Sequence, residues 1–348
     1  MKKNKKELNQ MLKDKDTKAL NEHLKEGVKN YLKSDTLKEF LKFCSKFPKY
    51  SYGNVRLIES QAPDAHHVAS FKKWKDLGTS VKKGSKAVYI YAPSTYKVKD
   101  KNGKVIKDEK GEAETKTYFK LVPVFTDQSV EHPELLPQQV YAVKGDFEDK
   151  DTFVNLYRTF MKVSPVPVLM DNINGTAHGY YDVIKNNIVI QANMGQLQTV
   201  KTMIHEITHA MLHSNSSAVF GDRDYQRQEF EAESVAYVVS NHLGIDSSEY
   251  SFGYLASWTQ GGKTIDDFEE SLKTITKTAT ELNTKIDETF ARISDQTLSK
   301  PKNKFEERLQ KLETKRPTVP KNTEHTSDKE ETENASLKGQ PSHQMNHR

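Results

Sequence analysis

The sequence predicts an α+β protein built as two domains followed by a disordered tail, and three observations carry that reading. Charge is split: residues 1–130 hold 29 Lys+Arg against 16 Asp+Glu, a net of +13, whereas the rest of the 348-residue chain is net −8 within an overall +5. Segments of helical period and of strand alternation lie on both sides of residues 128–150, a stretch holding Pro133, Pro137 and a Lys-Gly-Asp cluster. Beyond Ser299 the chain is rich in Lys, Glu, Asn, Ser and Thr, with almost no apolar residue after Leu312. The expected limits are 1–140 and 151–295 for the domains and 296–348 for the tail.

Taken in order, Leu20, Leu24, Val28 and Tyr31/Leu32 recur at helical spacing from Lys18 to Leu32. Asp35-Thr36 can cap a second helix that carries Leu37, Phe40, Leu41 and Cys44 on one face and ends before Pro48. A short third helix is expected over Ser70–Leu77, stopping at Gly78. Ala87–Ala92 reads as a strand, 97–117 as a protruding, solvent-exposed hairpin, and Tyr118–Phe125 as its return. After the linker come a helix over Thr152–Met161 and two short strands, Gly179–Val183 and Asn187–Gln191, turning at Lys185-Asn186. Helices over about 196–214, about 225–243 and from Ile265 to about Ile293 complete the pattern.

Composition narrows the function classes. Basic residues near the N-terminus have no apolar stretch behind them, so no secretory signal is expected there. No run approaches eighteen apolar residues, which argues against a membrane span. The single cysteine, Cys44, cannot form an internal disulfide and reads as a small buried hydrophobe. The expected compartment is the cytoplasm.

The strongest chemical signal is His205-Glu206-Ile207-Thr208-His209. On a helix, positions i and i+4 lie one turn apart on one face, so two imidazoles can grip one Zn²⁺ while Glu206 reaches the metal's water. A five-residue pattern can arise by chance and needs support. A catalytic zinc wants a third protein ligand and an open position. Glu229 and Glu233 share a face of the next helical segment, with Glu231 pointing elsewhere. Glu229 suits the ligand role, and Glu233, one turn on, suits a supporting role behind it. His213 could lie near the site but reads more simply as a surface or supporting group; His178, His242 and His66-His67 have no defensible partner spacing. Tyr180 or Tyr181 could stabilise an oxyanion, although core packing is the simpler reading.

The runs HEITHAMLH and EFEAESVAYVVSNHLGID resemble the gluzincin-type metallopeptidases, in particular the ImmA/IrrE-like branch and the C-terminal domain of ArdC-type antirestriction proteins. The resemblance covers 176–245. It implies a small zincin-like domain in which His205, His209 and Glu229 ligate zinc and Glu206 is the catalytic acid/base. It also implies that Asn187–Gln191 is an active-site edge strand able to pair with an extended peptide.

In residues 47–93, aromatics and cations interleave: Tyr50, Tyr52, Arg56, Lys72, Lys73, Trp74, Lys82, Lys83, Lys86, Tyr89 and Tyr91. Single-stranded DNA is typically held this way, with cations along the phosphates and flat rings under the bases. Alternation puts Tyr89 and Tyr91 on one strand face, as a stacking platform requires. The competing reading, that Trp74, Tyr89 and Tyr91 are core residues, stays open on chemistry alone. The order Y-S-Y-G-N-V-R-L-I, Q-A-P, F-K-K-W-K-D-L-G, V-K-K-G-S-K, I-Y-A-P is similar to the N-terminal single-stranded-DNA-binding domain of ArdC-like proteins, over about residues 20–140. Lys83-Gly84-Ser85-Lys86 and Thr79 depart from that pattern.

Three functions compete: a mobile-element, antirestriction-type protein that binds single-stranded DNA and carries a zinc peptidase domain; a DNA-binding protein whose zinc domain is only structural; and an ImmA-like regulatory protease. The intact Glu206 counts against the second and the +13 N-terminal half against the third. The first is the reading the sequence favours, with Zn²⁺ as cofactor, single-stranded DNA as partner and a protein substrate that no residue pattern names.

Overall fold

The computed structural model describes residues 2–133, 150–216, 222–245 and 264–298, together with the single residues 218, 247, 252 and 259. The expected tail beyond residue 298 and most of the expected linker therefore lie outside the described residues, and residues 296–298, expected in the tail, end the last helix. Helices α1 (Lys2–Asp14), α2 (Thr17–Gly27), α3 (Ser34–Lys46) and α4 (Tyr52–Gln61) precede a three-stranded sheet. That sheet comprises β1 (Val68–Ala69), β2 (Val88–Lys97) and β3 (Thr115–Thr126) in the antiparallel order β1-β3-β2, with α5 (Phe71–Asp76) between β1 and β2. As expected, Gly78 ends α5: its φ of 85° closes the turn, and the N–H of Thr79 reaches back to the carbonyl of Trp74.

The second half begins with α6 (Lys150–Val163). A second sheet follows, made of β4 (Val168–Asp171), β5 (Gly179–Asp182) and β6 (Asn187–Gln191) in the order β4-β6-β5. Helices α7 (Gln196–Leu212), α8 (Arg223–His242) and α9 (Ile265–Leu298) complete the described elements. Asn186, with φ at 50°, makes the expected tight turn between β5 and β6. Strand β6 pairs with β4 in parallel and with β5 antiparallel, so it is the middle strand. The expectation that Asn187–Gln191 forms the edge is thus corrected. A third strand, Val168–Asp171, which the periodicity does not predict, covers its other side, and among the described residues β4 and β5 are the two edges.

Two apolar clusters hold the N-terminal module. The inward face of β2–β3 (Val88, Ile90, Val124) joins a large core with Phe40, Leu41, Cys44, Val55 and Ile58. The opposite face contributes Leu121 to a second cluster with Leu8 and Leu12 of α1, Leu20 and Leu24 of α2, and Leu57 of α4. Helix α1, in an otherwise lysine-rich segment, is fixed by those two leucines one turn apart. Burying each contributes about 1.5–3 kcal/mol. Burial also pushes the Cys44 thiol pKa up, as befits a core residue. The modules are not insulated from each other: α3 packs on α8, and His242 reaches both the Ser45 carbonyl (3.4 Å) and Asp287 of α9 (3.0 Å).

Candidate metal centre and nucleic-acid interface

Helix α7 carries His205 and His209 one turn apart, and their Nε2 atoms stand 3.0 Å from each other. Helix α8 packs against α7 and brings Glu229 across, with Oε2 3.6 Å from His205 Nε2 and Oε1 3.5 Å from His209 Nε2. One ligand atom from each of the three lies within 4.8 Å of the others, a donor set of two imidazoles and a carboxylate that could hold a divalent metal. Behind it, Glu233 Oε2 lies 3.5 Å from His205 Nδ1, where it can fix the ring's orientation. Glu231 points away, as expected, to accept a hydrogen bond from Ser271 of α9 and to face His213 Nε2 at 3.7 Å.

The charge environment is that of a cation site. Burial by itself would lower the His205 pKa, but Glu229, Glu233 and Glu206 surround the ring and raise it to about 10. His209, buried beside that cation, is pushed down to about 3. Burial raises Glu206 to about 7, against the opposing pull of His205 and a hydrogen bond from the Tyr181 backbone. A carboxyl with that pKa, set beside two imidazoles, suits acid/base work near neutrality.

The site opens into two adjoining clefts of about 350 and 410 Å³ that share Gly179, His205 and Glu206. Several lining groups are not identifiable from spacing. Gly179 lets β5 close on α7: a Cβ there would lie 2.7 Å from Thr202 Cγ2 and 3.2 Å from Glu206 Cγ. His178, one residue earlier, lines the cleft with its Nδ1 3.3 Å from Gln198 Nε2. Burial alone would raise the Glu229 pKa, but His205 and His209, with a smaller contribution from Tyr225, hold it below the ordinary carboxylate value. Tyr180 and Tyr181 both line the larger cleft, and Tyr181 donates to Asn186. A glycine just ahead of a tyrosine pair is the one hint of a close approach that the sequence offers.

The residues expected to bind DNA divide into two groups. Lys72, Lys73, Lys82, Lys83 and Lys86 lie at the surface, exposed or partly so. Arg56 and Trp74 do not, and their expected DNA contact is corrected. Arg56 is 4% exposed, bonded to the Leu24 carbonyl and to Tyr52 Oη, with its guanidinium 4.9 Å from the centre of the Tyr31 ring. Trp74 is 1% exposed and donates Nε1–H to the Phe125 carbonyl at 3.0 Å. Tyr50 and Tyr52 are partly buried against the main core, and Tyr50 donates to the Val68 carbonyl. Tyr89 and Tyr91 do share a strand face. Their rings pack against the leucine cluster under α1 and α2 instead of forming an open platform, and Tyr91 Oη reaches Asn21.

Among the described residues no helix is long and apolar enough to cross a membrane. Residues 7–125 match the family model of the N-terminal domain of anti-restriction factor ArdC, and residues 165–240 match that of the IrrE N-terminal-like domain, of the M78 peptidase class. An uncharacterised protein of Bacillus anthracis is 27% identical over 82% of this chain, which spans only 53% of that relative's length. Among solved structures, the metal-free antirestriction ArdC protein of plasmid R388 aligns with 19% identity over 69% of this chain and 84% of its own, with a TM-score of 0.43. Its Mn(II)-bound form aligns with 18% identity over 68% and 84%, at 0.40. By its two domain matches the chain is ArdC-like: a segment matching the N-terminal domain of anti-restriction factor ArdC is followed by one matching the IrrE N-terminal-like domain.

Proposed function

We propose that this protein binds single-stranded DNA through residues 1–140 and hydrolyses a peptide bond through a zinc-dependent site in residues 151–295, in an antirestriction-type role. The observation that carries the reading is the convergence of His205, His209 and Glu229 beside the buried Glu206. Two imidazoles and one carboxylate are the donor set of a catalytic zinc that keeps a position open. Zinc held there would lower the pKa of a coordinated water towards about 7 and polarise a carbonyl.

The chain's own residues supply the rest. Glu206 accepts a proton from the attacking water and returns it to the leaving amine, and the Tyr181 N–H orients its carboxylate. Glu233 positions His205. The edge strand β5 flanks the clefts, so an extended substrate would pair along Gly179–Asp182, not along β6. The excess of lysine in the N-terminal half supplies the electrostatic attraction for a polyanion.

The deciding experiment measures zinc content, single-strand binding and cleavage of host proteins for the wild type beside Glu206→Gln. Both should hold about one zinc per chain and bind DNA equally, with cleavage lost only in the variant. Cleavage at the wild-type rate by Glu206→Gln would overturn the mechanism, and a wild type that holds no zinc would overturn the metal assignment.

A further inference from the structure

If the expected platform tyrosines are packed under α1 and α2, a single strand must find its rings elsewhere. The β2–β3 ribbon runs well beyond the core. Its register pairs Ala92 with Lys120, Ser94 with Tyr118 and Tyr96 with Lys116, so these six residues share one face. On that face Tyr96 and Tyr118 are 51% and 45% exposed, with ring centres 5.9 Å apart. Lys116 and Lys120, both exposed, bracket Tyr118 along β3. On the opposite face Phe119 is 65% exposed.

Two exposed rings in contact and flanked by lysines form a patch of the kind that marks an interaction surface. The ribbon's charge says which kind of partner fits it. Strands β2 and β3 carry Lys97, Lys116 and Lys120 and no acidic residue. The ribbon's tip, residues 98–114, balances five lysines against Asp100, Asp108, Glu109, Glu112 and Glu114, with Asp100 and Asp108 accepting turn hydrogen bonds, so the ribbon's net positive charge comes from the three strand lysines. Alternate residues on a strand are about 6.7 Å apart. Lys116, Tyr118 and Lys120 therefore form a cation–ring–cation ladder with the repeat of an extended, unstacked polynucleotide. A duplex offers no free base face to such rings, whereas a single strand does.

We propose that the outer half of the β2–β3 ribbon is the surface that grips single-stranded DNA, with Tyr96 and Tyr118 stacking on bases and Lys116 and Lys120 on phosphates. This rests on the reading of the N-terminal module as a single-strand binder and moves the contact away from Tyr89 and Tyr91.

The test uses the full chain and a fluorescent 20-nucleotide oligothymidylate, with anisotropy read at several salt concentrations. Tyr96→Ala/Tyr118→Ala should weaken binding by about five-fold to a hundred-fold for each ring without changing the salt slope. Tyr96→Phe/Tyr118→Phe, which keeps both rings, should bind within about twofold of the wild type. Lys116→Ala/Lys120→Ala should flatten the slope of log K against log salt by about 1.4. All four residues are exposed, so circular dichroism should stay unchanged. Wild-type affinity and slope in both alanine variants would overturn this assignment while leaving single-strand binding to the lysines of 72–86. A wild type that does not bind the oligonucleotide would overturn the underlying reading as well.

Discussion

The helix pair α7–α8 and the ribbon β2–β3 each carry a periodic pattern of functional residue types, yet periodicity has very different force in the two places. On α7 the spacing of four puts His205 and His209 on one face whatever surrounds the helix, and Glu229 needs only a neighbouring helix to meet them. On β2 the spacing of two puts Tyr89 and Tyr91 on one face with equal certainty. A strand has two faces, however, and a distant helix decides which is covered. Here α1 and α2 cover the face of Tyr89 and Tyr91, and the paired rings left open, Tyr96 and Tyr118, lie farther out on the other face, beyond the part of it that Val88 and Ile90 bury.

The same contrast holds at the strand edges. The outer edge of β2 is closed by α4: Gln61 exchanges two hydrogen bonds with the backbone of Tyr89, and Asn54 two with that of Tyr91. Among the described residues the edge of β5 has no further strand beyond it, and it runs beside the metal-type site. One edge is capped by amide side chains for stability, and the other is placed where a substrate could add to it.

The largest expected effect lies in the ribbon's module, where spacing alone misleads about ring exposure. Trp74→Ala should destabilise the fold by about 3–5 kcal/mol, since it empties a fully buried site and removes the bond to the Phe125 carbonyl. Urea denaturation checks this; a loss below ~1 kcal/mol would mean that Trp74 is not a core residue. In the other region, zinc at a hundred times its dissociation constant should raise the unfolding free energy by about 2.7 kcal/mol. A chelator should reverse the gain, and His205→Ala/His209→Ala should lack it. Equal stabilisation of that double variant would place the metal elsewhere. Smaller again, Glu233→Gln should weaken zinc binding about 10- to 100-fold, because the amide holds His205 less firmly. Competition with a chromophoric chelator reads this directly, and an unchanged affinity would remove Glu233 from the site.

The helices of the second half, the Gly78 stop, the Asn186 turn and the His205–His209 pair are legible in the sequence, because each depends mainly on contacts within a turn or two of chain, whereas Glu229 joins the pair only through the packing of α8 on α7. Three elements are not. Helix α1 shows only Leu8, Met11 and Leu12 among its charges and amides, a single apolar turn that is too short to announce a helix that forms on a neighbouring sheet. Helix α4 reads along the chain as an aromatic and cationic segment, yet Arg56 turns inward between Tyr31 and Tyr52. Strand β4 is four residues long and owes its existence to pairing with β6.

Local spacing therefore specified which residues could share a metal, since a helix sets the distance between i and i+4 without help. The choice between core and contact for the N-terminal aromatics, the middle place of β6 and the closure of β5 on Glu206 through Gly179 were settled by packing between elements far apart in the chain. Burial is a property of what lies opposite a side chain, and nothing in a residue's own neighbours along the sequence encodes that partner.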